Sequence, residues 1–388
     1  MAEAVIIDAV RSPIGKRRGA LSNVHPVDLS GCILRSLASR TGIDPAVIDD
    51  VMWGCVNQVG DQAAQIGRYA VLAAGWPETV PASTINRACG SSQQAIDFAA
   101  AMIRSEQCDV VVAGGVESMS RVPLGAGREL GRPFGPMVRG RYADALSLNE
   151  FPNGDFNQGI GAELIARRWK LTRGDLDEYA AESHARAARA TDCGDFSTQI
   201  GIIPEAPTHV EDEGIRRGTT AEKLSALKPS FVAEGIVHAG NSSQISDGAG
   251  ALLLASPEKA KELGLTPIAR YVGGAVAGAD PIEMLTAPIP ATEKALKRTG
   301  LSMADIGTFE VNEAFAPIPL AWIKDLGADR ELVNPQGGAI AVGHPLGGSG
   351  AILMTKLIYR MRSQGIRYGL QTMCEGGGTA NASVIELL

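Results

Sequence analysis

The sequence lacks the features of several protein classes. No apolar run in its 388 residues approaches the roughly 18 residues that a bilayer-spanning helix requires. No Lys/Arg run or basic stripe stands out, and the net charge is −7, which argues against nucleic acid as a partner. The N-terminus MAEAVIIDAVRSP predicts a strand and has no basic region followed by a sustained apolar stretch. We therefore expect a cytoplasmic protein without membrane insertion.

Metal-binding and disulfide patterns are also missing. None of the six cysteines forms a CxxC pair, and zinc-type spacing is absent, so we expect no metal site and mostly free thiols. A small buried apolar residue is the ordinary interpretation of a lone cysteine. We apply that interpretation to Cys32, Cys55, Cys108 and Cys193.

The length and the glycine content indicate a large α/β protein. A chain of 388 residues exceeds what one hydrophobic core usually covers, which predicts two packed domains or a duplicated unit. Its 46 glycines form short clusters, which is typical of tight turns and close backbone approach.

Two pairs of segments indicate an internal repeat. RTGIDPAVI at 40–48 resembles RTGLSMADI at 298–306, at an offset of 258 residues, and each lies between a helical and a strand pattern. Residues 89–115 and 344–378 share another order, a Gly/Ser turn, an amphipathic helix and a buried strand that ends in glycines. A duplicated α/β unit explains both pairs.

The region 121–245 differs from these halves. It is rich in Arg, Gly, Asp and Glu, and we predict two helices there, over GAELIARRWK and from about Thr172 to Ala190. This region reads as an insertion on the duplicated core, where binding surfaces are common.

Two residues in Gly-rich turns are the first catalytic candidates. Cys89 precedes a helix pattern, where unpaired N–H groups and the helix dipole would lower the pKa of its thiol. His344 lies in a Gly-dense turn that precedes a second helix pattern. The alternatives are a buried cysteine and a hydrogen-bonded structural histidine.

Two further candidates lie at strand ends. Cys374 ends a buried strand and precedes three glycines, whose N–H groups could bind an oxyanion. Asn312 follows an apolar strand, where it could simply end the strand or hold a water or an oxyanion with its amide N–H.

Together these segments resemble the thiolase family over essentially the whole chain. The motifs that carry the resemblance occur in the family's order: RSPIGKRRGAL, NRACGSSQQA, GNSSQISDGAGA, NEAFAP, GGAIAVGHPLGGSG and CEGGG. The resemblance implies the thiolase fold, an α/β structure of two βαβαβαββ halves in five αβαβα layers with an inserted loop domain. We accordingly divide the chain into an N-terminal half (1–120 plus 246–267), the inserted domain (121–245) and a C-terminal half (268–388).

The resemblance also implies catalytic roles. Cys89 matches the nucleophile that becomes acylated, His344 the base that activates it, and Cys374 the second acid/base. Asn312 with His344 matches the first oxyanion hole, and the backbone N–H groups of Cys89 and Gly376 match the second.

Coenzyme A is the implied co-substrate, and we expect no tightly bound cofactor. The positions that match contacts to coenzyme A are Arg216, Leu227, Ser243, Ala314 and Phe315. Some relatives have Ser at a further contact position where this chain has Lys223, which could meet a CoA phosphate or face solvent.

The function implied is thiolytic cleavage of 3-oxoacyl-CoA through an acyl-thioester. The same residues would serve biosynthetic condensation of two acetyl-CoA, so this direction stays an alternative. Short-chain members carry His-Met where this chain has Asn157-Gln158, and the motifs at both ends look more like degradative thiolases, including those of steroid breakdown.

Two other classes on this fold fit the sequence less well. A ketoacyl synthase would use Cys-His-His, but the third position here is Cys374. A non-catalytic acyl-CoA binder should have lost a catalytic residue, and none is lost. The resemblance also implies a homodimer or homotetramer, with any tetramer contacts in 121–245.

Overall fold

The computed structural model describes residues 2–131, 133–147 and 155–388. The strands are β1 (Val5–Arg11), β2 (Gly15–Lys16), β3 (Asp50–Gly54), β4 (Ala82–Ile85), β5 (Val110–Ser118), β6 (Ser246–Ala255), β7 (Ala269–Gly278), β8 (Thr308–Val311), β9 (Tyr368–Glu375) and β10 (Thr379–Leu387).

The helices alternate with these strands in the manner of an α/β protein. They are α1 (Pro26–Thr41), α2 (Ile66–Ala73), α3 (Ser91–Arg104), α4 (Pro136–Arg141), α5 (Ala143–Leu146), α6 (Gln158–Arg168), α7 (Arg173–Asp192), α8 (Ala221–Ser225), α9 (Pro257–Glu262), α10 (Pro288–Thr299), α11 (Pro317–Leu326), α12 (Ala339–Val342) and α13 (Leu346–Gln364). No helix in the described part of the chain is long and apolar enough to cross a membrane.

The strands form one mixed sheet in the order β4-β3-β5-β6-β1-β7-β10-β9-β8, with β2 beside β6. Its two halves meet at β1 and β7, which share only the pairs Val5–Arg270 and Ile6–Ala269. Helices α3 and α13 pack on each other and on strands from both halves, so they form a central layer. Helix α1 covers the first half from outside, and α10 covers the second.

The duplication is visible in the topology. The first half has the strand order β3-β5-β6-β1 and the second has β8-β9-β10-β7. In each half the first pair is parallel and the next two are antiparallel. Gly42 and Gly300 end α1 and α10 with φ of 69° and 71°. The repeat expected at the RTG segments is therefore confirmed, and so is the α/β class of the fold.

The region 121–245 contains the two predicted helices and more. Helix α7 begins at Arg173, where the Thr172 side chain caps Asp175 N–H and the Asp175 carboxylate caps Thr172 N–H. Helix α6 begins at Gln158, three residues before the predicted start, because Asn157 accepts hydrogen bonds from Gly159 and Ile160 N–H. The short helices α4, α5 and α8 were not predicted.

The cysteine interpretation needs correction at two positions. Cys32 and Cys55 are buried as expected, whereas Cys108 is half-buried and Cys193 is exposed. Cys193 follows the last residue of α7, at the C-cap, where the helix meets solvent.

Candidate active site

The amide of Asn312 joins two of the catalytic candidates. Its Nδ2 lies 3.5 Å from His344 Nε2 and 3.5 Å from Cys374 Sγ. Asn312 directly follows β8, Cys374 is the penultimate residue of the neighbouring parallel strand β9, and both are buried. Adjacent parallel strands end at the same edge of the sheet, which is why residues 62 positions apart in sequence meet here.

Ser349 fixes the orientation and the tautomer of His344. The Ser349 hydroxyl donates to Pro345 O at 2.9 Å and lies 2.7 Å from His344 Nδ1. Because its only proton points to the carbonyl, the hydroxyl accepts the hydrogen bond from Nδ1–H. Nε2 is then the unprotonated nitrogen, and it faces Asn312.

The electrostatics of the site keep His344 neutral. Complete burial lowers the pKa of His344 to about 4, because an imidazolium would lose its hydration there. At neutral pH the ring is therefore able to accept a proton at Nε2.

Cys374, in contrast to His344, holds its proton at neutral pH. Burial raises the pKa of its thiol to about 12, although the hydrogen bond from Asn312 opposes this. The group is a protonated thiol at neutral pH and can donate a proton.

Cys89 lies in a tight turn that precedes the central helix α3. Gly90 is the N-cap of α3, and Ala88 has a left-handed φ of 45°, a conformation that β-carbon-bearing residues rarely adopt. The Cys89 side chain is buried in a cluster with Leu346 and Met373, the neighbours of the His344 turn and of Cys374. The structure thus brings the three candidates Cys89, His344 and Cys374 into one region.

The expected lowering of the Cys89 pKa was wrong for the resting thiol. Burial is the largest effect and raises the pKa, and negative charge at Cys374, Glu375 and Glu117 raises it further. Desolvation outweighs the helix N-terminus because the thiolate would lose its water shell completely. Cys89 is therefore a neutral thiol until a base removes its proton.

Gly376 lies against the Cys89 turn. A methyl group built on Gly376 would lie 3.8 Å from Ala88 Cβ and 3.1 Å from Gln158 Nε2. Of the pair Asn157-Gln158, Gln158 therefore reaches the site, whereas Asn157 caps α6.

Three of the coenzyme A positions form a cluster near the catalytic candidates. Ser243 N–H donates to Ala314 O at 2.9 Å, and Phe315, two residues after Glu313, is bridged to Ser242. The Phe315 ring packs edge-on against Phe231 with centroids 5.7 Å apart.

The other three positions lie on a largely exposed surface segment, 216–227, that contains the short helix α8. Arg216 N–H donates to the buried His184 Nδ1 at 3.1 Å, and the Arg216 side chain is exposed. Lys223 Nζ donates to Gly218 O at 2.7 Å. This lysine therefore links α8 to the turn that precedes it, and it also faces solvent. Leu227 packs at Gly240, three residues before Ser243, which connects this segment to the first cluster.

Two buried carboxylates support the site and were missed by sequence reasoning. Glu313 accepts hydrogen bonds from four groups, which tie the end of β8 to α7 and α12: Tyr179 OH, Ser183 Oγ, Asn334 Nδ2 and Ile340 N–H. Glu117 accepts a bond from Gly347 N–H, at the start of α13. Ser349 was missed too, although it lies inside the GGAIAVGHPLGGSG motif, five residues after His344. The available signal for Glu313 was its position directly after Asn312 in the NEAFAP motif.

No group of three or more His, Cys, Asp or Glu side chains in residues 2–131, 133–147 and 155–388 could hold a metal ion. The arrangement instead offers a thiol, a neutral imidazole and a second thiol beside an amide donor. One thiol of such a set can form a covalent thioester, and the imidazole and the second thiol can take protons from the reacting groups and return them.

Two family models match the sequence of this chain. The model described as thiolase, N-terminal domain, matches residues 4–258, and the model described as thiolase, C-terminal domain, matches residues 265–387. Together they cover nearly the whole chain.

Curated and solved relatives point to the same family. The chain is 49% identical to a steroid 3-ketoacyl-CoA thiolase, FadA6, of Mycobacterium tuberculosis, over 100% of this chain and 95% of that protein. It is 44% identical to a 3-ketoacyl-CoA thiolase of Klebsiella pneumoniae, over 100% of both. The crystal structure of the Bacillus anthracis acetyl-CoA acetyltransferase superposes with a TM-score of 0.89 at 41% identity, over 100% of this chain and 99% of that one. The chain belongs to the thiolase family.

Proposed function

We propose that this protein cleaves 3-oxoacyl-CoA with coenzyme A, yielding acetyl-CoA, or another short acyl-CoA, and a shortened acyl-CoA. The observation that carries the proposal is the amide of Asn312, which lies 3.5 Å from both a neutral imidazole nitrogen and a protonated thiol. Cleavage of a 3-oxoacyl thioester requires a nucleophile, a proton donor for the leaving enolate and donors for two oxyanions.

The first half-reaction forms the acyl-enzyme. His344 Nε2 takes the proton of the Cys89 thiol, and Cys89 Sγ bonds to the 3-oxo carbon. The bond between the second and third acyl carbons then breaks. The electron pair leaves as the enolate of the short acyl-CoA, which takes a proton from Cys374.

The second half-reaction releases the shortened acyl-CoA. The Cys374 thiolate takes the proton of the incoming CoA thiol, and the CoA sulfur attacks the thioester carbonyl. Cys89 leaves as a thiolate and recovers its proton from His344. The cycle is ping-pong, and all groups return to their starting state.

Two donor sets serve the oxyanions. Asn312 Nδ2 and His344 Nε2, which donates once it holds the Cys89 proton, bind one carbonyl oxygen, and the backbone N–H groups of Cys89 and Gly376 bind the other. The contact between Gly376 and the Cys89 turn supports the second set.

Coenzyme A would bind as a co-substrate between two groups of residues. Arg216 and Lys223 would bind the phosphates of coenzyme A, since both side chains are cationic and exposed. Leu227, Ser243, Ala314 and Phe315 would contact the rest of the molecule, and Phe315 is buried beside the catalytic segment.

For the acyl group we propose chains longer or bulkier than acetoacetyl. The relatives named 3-ketoacyl-CoA thiolase and steroid 3-ketoacyl-CoA thiolase support this range, and so does the departure at Gln158. The second candidate function is synthesis of acetoacetyl-CoA from two acetyl-CoA, favoured by the solved relative named acetyl-CoA acetyltransferase.

We further propose the domain division 1–120 plus 246–267, 121–245 and 268–388.

We also propose that the protein is a homodimer or a homotetramer. In the described part of the chain no strand pairs with the outer edge of β4, and α2 and α3, which pack against β4, expose Tyr69, Leu72 and Phe98. An open edge with apolar side chains suits pairing with a second copy. The exposed Met137 and Val138 of the inserted region would suit a tetramer contact. The free thiols fit a reducing cytoplasm.

A panel of 3-oxoacyl-CoA substrates tests this function. We expect CoA-dependent cleavage that is faster with long or bulky acyl groups than with acetoacetyl-CoA. Faster turnover of acetoacetyl-CoA would contradict the proposed range. Absence of cleavage across the panel would favour a non-catalytic acyl-CoA binder.

A further inference from the structure

Two buried glutamates occupy equivalent positions in the two halves. Glu117 lies near the end of β5, and Glu375 ends β9, the corresponding strand of the second half. They are separated by the repeat offset of 258 residues, and both side chains are fully buried.

The two carboxyl groups are bound very differently. Glu117 is saturated by donors from β3–α2 and from α13: Val56 N–H, Asn57 N–H and Nδ2, Gln62 Nε2 and Gly347 N–H. Glu375 Oε2 accepts one hydrogen bond, from Thr379 Oγ1 at 2.6 Å, and lies 3.7 Å from Arg87 Nη1. Glu375 Oε1 has no hydrogen-bond partner among the described residues. An unpaired buried carboxyl oxygen is costly, which calls for a role beyond packing.

Glu375 sits between the two cysteines of the site. It directly follows Cys374, and its Oε1 would lie 2.1 Å from a methyl group built on Gly90, the residue after Cys89. Arg87, its ion-pair partner, lies two residues before Cys89. The ion pair between Arg87 and Glu375 therefore links the Cys89 turn to the end of β9.

Negative charge near the Glu375–Arg87 pair disfavours the thiolate form of Cys89. The groups that face Cys89 are Cys374, Glu375 and Glu117, and negative charge on each of them raises the pKa of Cys89. Burial raises the pKa of Glu375 to about 7, although the hydrogen bond from Thr379 and the charge of Arg87 oppose this rise; the nearby Asp97 adds to it. Glu375 thus changes its charge near neutrality, beside a thiol that must become a thiolate.

We propose that Glu375, balanced by Arg87, is a positioning residue whose charge governs how readily Cys89 becomes a thiolate. The inference rests on the proposed role of Cys89 as nucleophile. With Glu375 protonated, the turn carries the positive charge of Arg87 and favours the thiolate. With Glu375 ionised, its negative charge beside Cys89 offsets the charge of Arg87, and the thiolate is less favoured than when Glu375 is protonated.

Alkylation of Cys89 by iodoacetamide, followed by site-resolved mass spectrometry across pH, tests this proposal. The reaction reports the thiolate directly and requires no turnover. A Cys193→Ser background removes the exposed thiol from competition. Glu375→Gln should speed alkylation of Cys89 by about tenfold at alkaline pH, because one unit of pKa is a tenfold change in thiolate.

Three comparisons distinguish charge from packing. Arg87→Gln should slow alkylation several-fold, in the direction opposite to Glu375→Gln. Asp109→Asn removes an exposed carboxylate at the opposite end of β5 from Glu117, and it should change the rate less than twofold, because Asp109 affects the pKa of neither Cys89 nor Glu375. In the wild type, the logarithm of the rate should rise less steeply with pH as Glu375 ionises near neutrality, and Glu375→Gln should restore a straight line.

Changes of the same sign in Glu375→Gln and Arg87→Gln, or a Glu375→Gln profile parallel to wild type, would overturn the proposal. Thermal unfolding of each variant shows whether it is folded. Acyl mass on Cys89 is measured after incubation with 3-oxoacyl-CoA in separate portions of each variant that have not been treated with iodoacetamide. If it forms while the alkylation pattern fails, only this inference is lost. If it does not form, the proposed function is lost.

Discussion

Asn312 Nδ2 lies 3.5 Å from His344 Nε2 and the same distance from Cys374 Sγ, so one amide group contacts the base and the acid of the site. These distances are longer than an ideal hydrogen bond. Such spacing leaves the amide able to turn its N–H groups toward a carbonyl oxygen that enters between the two side chains.

Asn312→Ala should remove this donor while leaving the fold intact. We expect kcat for 3-oxoacyl-CoA cleavage to fall by about 10²–10³-fold, the usual effect of losing one oxyanion donor. KM should change far less, because coenzyme A contacts lie elsewhere. Steady-state kinetics measure both constants, and a loss confined to KM would place Asn312 in substrate binding only.

Ser349→Ala should disturb the tautomer of His344. Without the hydroxyl that accepts from Nδ1–H, the proton can move to Nε2 and block the base. We expect kcat to fall by about 10-fold or more, by comparison with general-base contributions of about 10²–10⁴. Ser349→Thr keeps the hydroxyl and serves as the control. Equal loss in both variants would indicate a packing effect.

The pH profile should reflect the buried imidazole. Because the pKa of His344 is lowered to about 4, the base stays unprotonated as pH falls through the ordinary histidine range. We expect kcat/KM to show no loss attributable to a group titrating near 6.5, and a loss only as pH approaches about 4–5. A histidine-like acid limb centred on the ordinary value in folded enzyme would contradict this.

Gln158 and Asn157 should have separable effects. Gln158 reaches Gly376, so Gln158→Ala should change the ratio of kcat/KM values between bulky and short 3-oxoacyl-CoA substrates. Asn157 caps α6, so Asn157→Ala should cost about 1 kcal/mol of unfolding free energy and leave that ratio unchanged. Rates with two substrates and thermal unfolding of both variants provide the measurements. An unchanged ratio in Gln158→Ala would remove this residue from substrate selection.

Local signals made much of the fold predictable. The two RTG segments end in glycines with left-handed φ at Gly42 and Gly300, so the repeat was visible in short sequence patterns. The capping pair Thr172 and Asp175 likewise marked the start of α7. The thiolase motifs extended these signals to a complete fold.

The electrostatics of the site were not predictable in the same way. The sequence placed Cys89 before a helix, which suggested a lowered pKa. It could not show that Glu375, almost three hundred residues later, and Glu117 would both lie near a completely buried thiol. Nor could a periodic pattern reveal that Cys193 would be exposed at the end of α7.

Intact-mass and site-resolved mass spectrometry of the enzyme after mixing with a 3-oxoacyl-CoA in the absence of free CoA test the central claim most directly. The account predicts one equivalent of the short acyl-CoA released and one shortened acyl group on Cys89, with neither product from Cys89→Ser. An enzyme that stays unmodified, or that carries the acyl group on another residue, would contradict it.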